Sequence, residues 1–441
     1  MGHADHERDA LREKTDAEPL DASHADARGI TRRALLAGAA GALGAGAVHQ
    51  LTAPTGADAQ ALATPPPAGT ERVPGPMPSA VGMRSPFSQP RRIVQRPVVD
   101  GSSVTPLQDL DGIITPSDLH FERHHGGVPV IDPATHTLLI HGMVERPMVF
   151  TLAELQRFPR RSRLHFLECS GNGGSALRGA QPDRTPQQID GLTSTSEWVG
   201  VPLATLFREV GVLPEATWFL AEGGDSVLYS RSIPVGKALD DALIAWAQNG
   251  EPLRPEQGFP ARLFLPGWEG STNVKWLRRI ELSDRPFMTR EETSKYTDPA
   301  KGGTARQFSF LMDVKSIITA PAYPTVLPGP GWYEIAGIAW SGRGRIRRVE
   351  ISTDGGTTWS VARLEEPVMP KCHTRFRHGW QWDGAETMLM SRATDESGAT
   401  QPTLAALRET RGIGTTYHIH HIRAWKVERG GRVVFGGEAG A

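Results

Sequence analysis

The chain has 441 residues, enough for at least two folded units with buried cores. Its 48 Lys and Arg balance 49 Asp and Glu to a net charge of −1, and it lacks the basic blocks that neutralise phosphates, which argues against nucleic acid as a partner. With 48 Gly and 35 Pro, it is expected to be rich in turns and short strands.

Near the start, Arg32 and Arg33 precede an uncharged, Gly- and Ala-rich stretch from Ala34 to Val48. Small-residue sites such as Ala57-Asp58-Ala59 follow. The stretch is too short and too weakly apolar for a membrane-spanning helix, and paired arginines before such a core resemble a twin-arginine export signal over residues 1–60, with an ordinary Sec signal or a disordered tail as the alternatives. The twin-arginine route carries proteins already folded around their cofactor, so the sequence predicts a periplasmic protein with something inserted before export. Residues 61–104, rich in Pro, Ser, Gly and Val without clear period, read as a linker or arm, with order beginning near Thr105-Pro106-Leu107. No later apolar run approaches the length of a membrane span.

Residues 105–303 alternate helical and strand patterns and read as an α+β domain. "HTLLIHGMV" is a strand, and Thr151 with Glu154 forms a capping box for a short helix ending near Phe158. Pro202 at a first-turn position, then Leu203, Leu206, Phe207 and Val210, then Gly211, predict a helix with one apolar face. "DDALIAWAQNG" reads as a second helix of this kind, stopping at Asn249-Gly250; "ARLFLPG" and "VKWLRRIEL" read as buried strands. Residues 304–436 hold strand patterns alone, broken by Asp-Gly-Gly, Asp-Gly, Ser-Gly and Gly-Gly turns. With Trp340, Trp359, Trp380 and Trp382 as packing surfaces, they predict an all-β, immunoglobulin-like sandwich without the cysteine pair of antibody domains.

Four clusters bear chemistry. Cys169 follows the strand-like "LHFLE" and precedes Ser170-Gly171-Asn172-Gly173-Gly174, a turn that lets a bulky group approach both backbone and sulfur. On residues alone it is a soft metal ligand, a nucleophile, a plain buried thiol, or one half of a disulfide with Cys372, the other cysteine of the chain. Arg123, His124 and His125 ahead of a diglycine suit an anion, or form a solvated loop. Arg262 and Lys275 sit in or beside apolar strands, where an unpaired charge costs several kcal/mol; each needs a fixed anion, whether a ligand or an ordinary carboxylate. His418, His420 and His421 have a spacing that invites zinc, but no carboxylate lies close in sequence and a structural role is the plainer reading. There is no Cys-x-x-Cys-His, so no c-type haem is attached to this chain. These residues leave two rival readings open, a metal-dependent or thiol hydrolase and an exported binding protein.

At "FERHHGGVP", "LECSGNGG", "LIAWAQNGEPL" and "GFPARLFLPGWEGSTNVKWLRRIEL", in that order and spacing, the chain resembles the sulfite oxidase family of molybdopterin enzymes. "RSIPVGKALDDALIAWAQNGE", "EETSKYTD" and "AWSGRGRI" resemble its branch of sulfane (sulfite) dehydrogenases from bacterial thiosulfate oxidation. The resemblance covers about residues 105–435. It implies a molybdopterin-binding oxidoreductase domain over 105–303, a dimerisation domain over 304–436, and one molybdenum–molybdopterin per chain. By the same match Cys169 is the molybdenum ligand, Arg123 the substrate-pocket arginine and Tyr296 the active-site tyrosine. Arg123, His124, His125, Asp225, Gln257, Arg262 and Lys275 fall at cofactor-binding positions. The implied activity is oxidation of sulfane sulfur or sulfite, with electrons passed to a c-type cytochrome subunit, in a homodimer within a heterotetramer. A sulfur-carrier protein is the implied bulky substrate, and a stand-alone dehydrogenase of free sulfite is the alternative. The chain departs from the family pattern at three places: His124 stands for Asn, Gln257 for His, and Gly174 for an arginine after the Cys-x-Gly-Asn turn.

Overall fold

The computed structural model describes residues 77–300 and 303–438. The export signal expected over residues 1–60 lies outside them. The chain divides into two units, 1–82 and 83–441, and all that follows concerns the second. Among the described residues no helix is long and apolar enough to cross a membrane.

The α+β part is built on two sheets. In one, strands Thr193–Pro202 and Leu243–Gln248 lie at the centre, flanked by Arg161–Glu168, Glu251–Pro252 and Arg262–Phe264. In the other the order is Met148–Thr151, Thr137–Gly142, Leu277–Ser283, Trp218–Gly223, Ser230–Pro234, with the second and third strands parallel. Helix Leu203–Val210 covers the core through Leu203, Leu206, Phe207 and Val210, all at most 2% exposed, and ends on Gly211 at φ 66°. Each such side chain contributes about 1.5–3 kcal/mol by leaving water. The capping box at Thr151 and Glu154 forms, and a second forms at Thr185 and Gln188.

Two expectations are corrected. "LIAWAQ" is a strand, not a helix; the helical turn ends earlier, at Val235–Asp240. Leu243, Ile244, Ala245 and Trp246 are all buried because the strand is paired on both edges and covered on both faces, so the run shows no alternation and imitates a buried helix. Asn249 (φ 48°) and Gly250 (φ 81°) are then the tight turn of a hairpin to Glu251–Pro252, not a helix stop. Order also begins earlier than Thr105. Ile93–Arg96 and Ser102–Val104 pair with each other, and the latter with Glu122–Arg123, so the end of the expected linker is a strap fastened to the first candidate cluster.

The C-terminal part is a β sandwich, but not of strands alone as expected: Leu404–Arg411 is a helix, capped by Thr403 and anchored through buried Leu404 and Leu407. One sheet runs Lys315–Ala320, Gly331–Trp340, Thr374–Trp382, Arg363–Leu364; the other runs Ser360–Val361, Ile346–Ser352, Thr387–Asp395, Arg423–Val427, Val433–Glu438. Their inner faces share a core that includes Ile335, Val349, Phe376, Trp380, Trp382, Leu389 and Trp425. Trp340 instead packs with Phe166 of the α+β part, which joins the sandwich to the strand leading into Cys169.

Candidate active site

Strand Arg161–Glu168 delivers Cys169 to a turn whose shape is fixed by one amide. Asn172 donates through Nδ2 to Glu168 Oε1 (2.9 Å) and accepts at Oδ1 from the Leu192 N–H (3.0 Å), while the Cys169 N–H donates to the Leu192 carbonyl (3.0 Å). Gly173 adopts φ 82°, and a Cβ there would fall 2.3 Å from Arg423 Nη2 and 2.7 Å from Asp190 Oδ1, so this position excludes a side chain. Gly174 is different: nothing lies within 4 Å of a Cβ placed on it. Cys169 and Cys372 are both free thiols, which removes the disulfide reading; Cys372 is buried and donates to the Leu164 carbonyl. Burial pushes the Cys169 thiol up, opposed by the Gly171 backbone and by Arg123.

One cavity gathers Cys169, Arg123, His124, His125, Asp225, Arg262, Lys275 and Tyr296. These residues span 174 positions of sequence, and eight of the nine expected site residues meet here. Gln257 stands behind the wall: its Nε2 donates to the Phe121 carbonyl (2.8 Å) and its own carbonyl accepts from Arg262 Nη1 (2.9 Å). It supports Arg262 instead of lining the cavity.

Arg262 is 2% exposed and bonds only to carbonyls, those of Gln257 and Asn273; its Nε has no partner. Burial pulls its pKa down to about 9. Lys275 donates to the carbonyls of Arg123 (3.1 Å) and Glu256 (3.0 Å) and to His124 Nδ1 (2.7 Å), and burial, with Arg262 nearby, lowers it well below the ordinary lysine range. Among the described residues neither cation has a carboxylate at ion-pair distance, so ordinary carboxylate partners are excluded. Two buried cations that face one cavity without an ion-pair partner are costly, and an anion between them would offset that cost. The orphaned Nε and the unbalanced charge therefore fit an anionic group with phosphate-like oxygens, and the open glycine turn leaves the Cys169 sulfur free for a soft metal.

The histidines are neutral and directional. His124 accepts from Lys275 at Nδ1, so Nε2 carries the proton donated to Glu122 Oε2 (2.8 Å). His125 lies flat on Tyr229, with ring centroids 5.2 Å apart. Its Nδ1 is 3.2 Å from Asp100 and its Nε2 is 2.9 Å from Tyr296 Oη, which assigns Nδ1–H to the carboxylate and leaves Nε2 to accept from the tyrosine. Burial, then Arg123, holds its pKa down to about 4, and burial raises Tyr296 well above 10. Asp225 is buried, caps Tyr229 N–H through Oδ1 (2.8 Å) and lines the cavity.

Several neighbours carry no signal in the sequence. Arg231, 1% exposed in strand Ser230–Pro234, pairs with Glu269 (3.0 Å) and Glu292 (2.8 Å) and sets its guanidinium 4.6 Å from the Tyr296 ring centroid. Tyr417 also packs on Tyr296, 5.2 Å between centroids. Asp100 holds Arg123. A lone arginine inside the strand-like "YSRSIP" was the one available hint, because a buried charge needs a partner. The zinc reading of His418, His420 and His421 falls away: His420 donates to the His418 carbonyl, the His421 ring is buried with neither nitrogen hydrogen-bonded, and among the described residues no three His, Cys, Asp or Glu converge on a metal position.

Residues 125–291 match the oxidoreductase molybdopterin binding domain and residues 306–424 the Mo-co oxidoreductase dimerisation domain. Sulfite oxidase from Gallus gallus is 32% identical over 342 residues, covering 69% of this chain and 72% of that enzyme. The chain belongs to the sulfite oxidase family. Within it, the chain is 34% identical over 311 residues to nitrate reductase [NADH] 2 from Phaseolus vulgaris, of whose length it spans 35%. The crystal structure of the sulfane dehydrogenase SoxCD from Paracoccus pantotrophus includes a chain 43% identical to this one, with a TM-score of 0.81, covering 85% of this chain and 99% of that one. This sulfite oxidase family member thus carries a molybdopterin-binding domain followed by a β-sandwich dimerisation domain.

Proposed function

We propose that this chain is the molybdenum subunit of a periplasmic dehydrogenase that oxidises sulfane sulfur, or sulfite, and passes electrons to a c-type cytochrome. The observation that carries the reading is the pair of buried cations, Arg262 and Lys275, neither with a carboxylate at ion-pair distance among the described residues, facing the cavity that also exposes Cys169. In this reading Arg262, Lys275, His124 and Asp225 hold the anionic cofactor, and the Cys169 thiolate is the protein's soft ligand to its metal. When bound, that group supplies two-electron oxidation of sulfur with transfer of an oxygen atom. The chain's own part is positioning: Arg123 orients the oxygens or charge of the sulfur compound, and Tyr296, kept protonated and held through its O–H by His125, helps to shape the site.

Likeness to a sulfane dehydrogenase chain supports the sulfur branch, and so does Gly174. Where the family pattern has an arginine, this chain has a glycine with open space around it, so one cation is missing next to the Cys169 turn. A small dianion loses more by this than sulfur carried on a protein arm, which gains binding energy from outer contacts. Electron removal by a separate cytochrome accords with the lack of a Cys-x-x-Cys-His motif in the sequence given, and the dimerisation domain supports a homodimer. Export rests on Arg32 and Arg33 and is tested by cell fractionation. Substrate choice is tested by steady-state kinetics with sulfite and with a sulfane-loaded carrier protein, cytochrome c as acceptor. Wild type should show the higher kcat/KM with the carrier, and Gly174→Arg should narrow that gap. Preference of wild type for free sulfite would replace this reading with a stand-alone sulfite dehydrogenase.

A further inference from the structure

Loop 97–101 connects strands Ile93–Arg96 and Ser102–Val104 and is stitched over the Arg123 segment. The His124 N–H donates to the Gly101 carbonyl (2.9 Å) and the Gly127 N–H to the Val99 carbonyl (3.1 Å). Gly101 keeps the loop tight, since a Cβ there would lie 2.4 Å from the Val98 oxygen and 2.8 Å from that of Arg96. This strap places one carboxylate against two of the cavity's lining residues: Asp100 Oδ1 is 2.5 Å from Arg123 Nη1 and 3.2 Å from His125 Nδ1, while Oδ2 is 3.2 Å from Arg96.

We propose that Asp100 is a specificity-determining residue which, by sharing the guanidinium of Arg123, disfavours small dianions at the site. The inference rests on the reading that Arg123 faces the substrate. Among the described residues Arg262 and Lys275 have no carboxylate at ion-pair distance, but Arg123 arrives with one attached. An incoming dianion that bonds to the same guanidinium meets the Asp100 charge within a few ångströms, and both negative charges compete for one cation. Sulfur that carries less charge, or that is anchored by other contacts, escapes most of this penalty. Asp100 and the open position at Gly174 act in one direction: one tempers a cation and the other omits one. The Asp100 side chain is 43% exposed, so solvent screens the effect, which is on the order of fivefold and not a thousandfold.

The test uses purified full-length holoenzyme, wild type and Asp100→Asn, with sulfate as an unreactive dianion in isothermal titration calorimetry and sulfite in steady-state assays. Asp100→Asn should bind sulfate about fivefold more tightly, lower the KM for sulfite in parallel, and steepen the loss of affinity with added salt. Asp100→Glu, which keeps the charge, should return both values towards wild type. Asp100→Ser is the second neutral variant if asparagine disturbs the loop. Sulfate affinity and sulfite KM that stay unchanged or worsen in both neutral variants would overturn the proposal, as would sulfate binding undetectable in wild type and variants. A wild type that binds sulfate but oxidises no sulfur compound would instead overturn the proposed function, while the calorimetry would still report on Asp100.

Discussion

Lys315 Nζ lies 3.1 Å from Glu168 Oε1, with both side chains 1% exposed, so the sandwich holds the residue that immediately precedes Cys169. The same ammonium is 2.7 Å from Asp190 Oδ1, Arg423 reaches Asp190 at 3.1 Å, and Trp340 Nε1 donates to Glu168 Oε2 at 2.6 Å. Three residues of the C-terminal part thus support the Cys169 turn from below, although none of the residues matched to the cofactor lies in that part. Lys315→Met removes the charge from between two buried carboxylates at similar volume. It should destabilise the protein by about 3–5 kcal/mol. Urea denaturation checks this; a change below about 1 kcal/mol would show that Arg423 and Trp340 satisfy the carboxylates alone.

Cys169→Ser replaces a soft thiolate by a hard hydroxyl at nearly the same volume, so the expected outcome is a folded protein that oxidises sulfur compounds at background rate. Cys372 lies in the core against Leu164, away from the cavity, and Cys372→Ser should retain activity. Circular dichroism with the cytochrome c assay separates the two. Full activity in Cys169→Ser would sink the ligand assignment.

Several buried histidines make the fold sensitive to acid. Burial lowers His120 and His373 to about 3, and His165 and His420 to about 4, from an ordinary value near 6.5. These groups bind fewer protons folded than unfolded, so their contribution is fully present above about pH 6.5 and is lost as pH falls towards 3–4. Glu122 and Asp313, each held down to about 2, act in the same direction below the ordinary carboxylate range. Differential scanning calorimetry should show Tm falling from pH 7 to pH 5 and more steeply below. A Tm that rises over that interval would contradict the burial of these rings as neutral groups.

The site was legible where chemistry and backbone share one local motif. The Cys169 turn, the Arg123–His125 tip, and the cations of "ARLFLPG" and "VKWLRRIEL" all announce themselves by residue types that are costly unless they have a partner. What was hidden depends on distant pairing. Lys315 meets Glu168 across 147 residues and Arg231 meets Glu292 across 61, and no local pattern specifies such partners. The strap over 93–104 looks like a linker because its order comes from pairing with Glu122–Arg123 and not from a periodicity of its own. Strand Leu243–Gln248 imitates a helix in sequence because a run buried on both faces has no period to read.

The most direct test of the account is the metal and pterin content of protein purified from its native compartment, by inductively coupled plasma mass spectrometry with fluorescence of the released pterin. Arg262 and Lys275, without carboxylates at ion-pair distance among the described residues and beside the open Cys169 sulfur, predict about one molybdenum and one pterin per chain. Active protein that holds zinc, or neither molybdenum nor pterin, would contradict it.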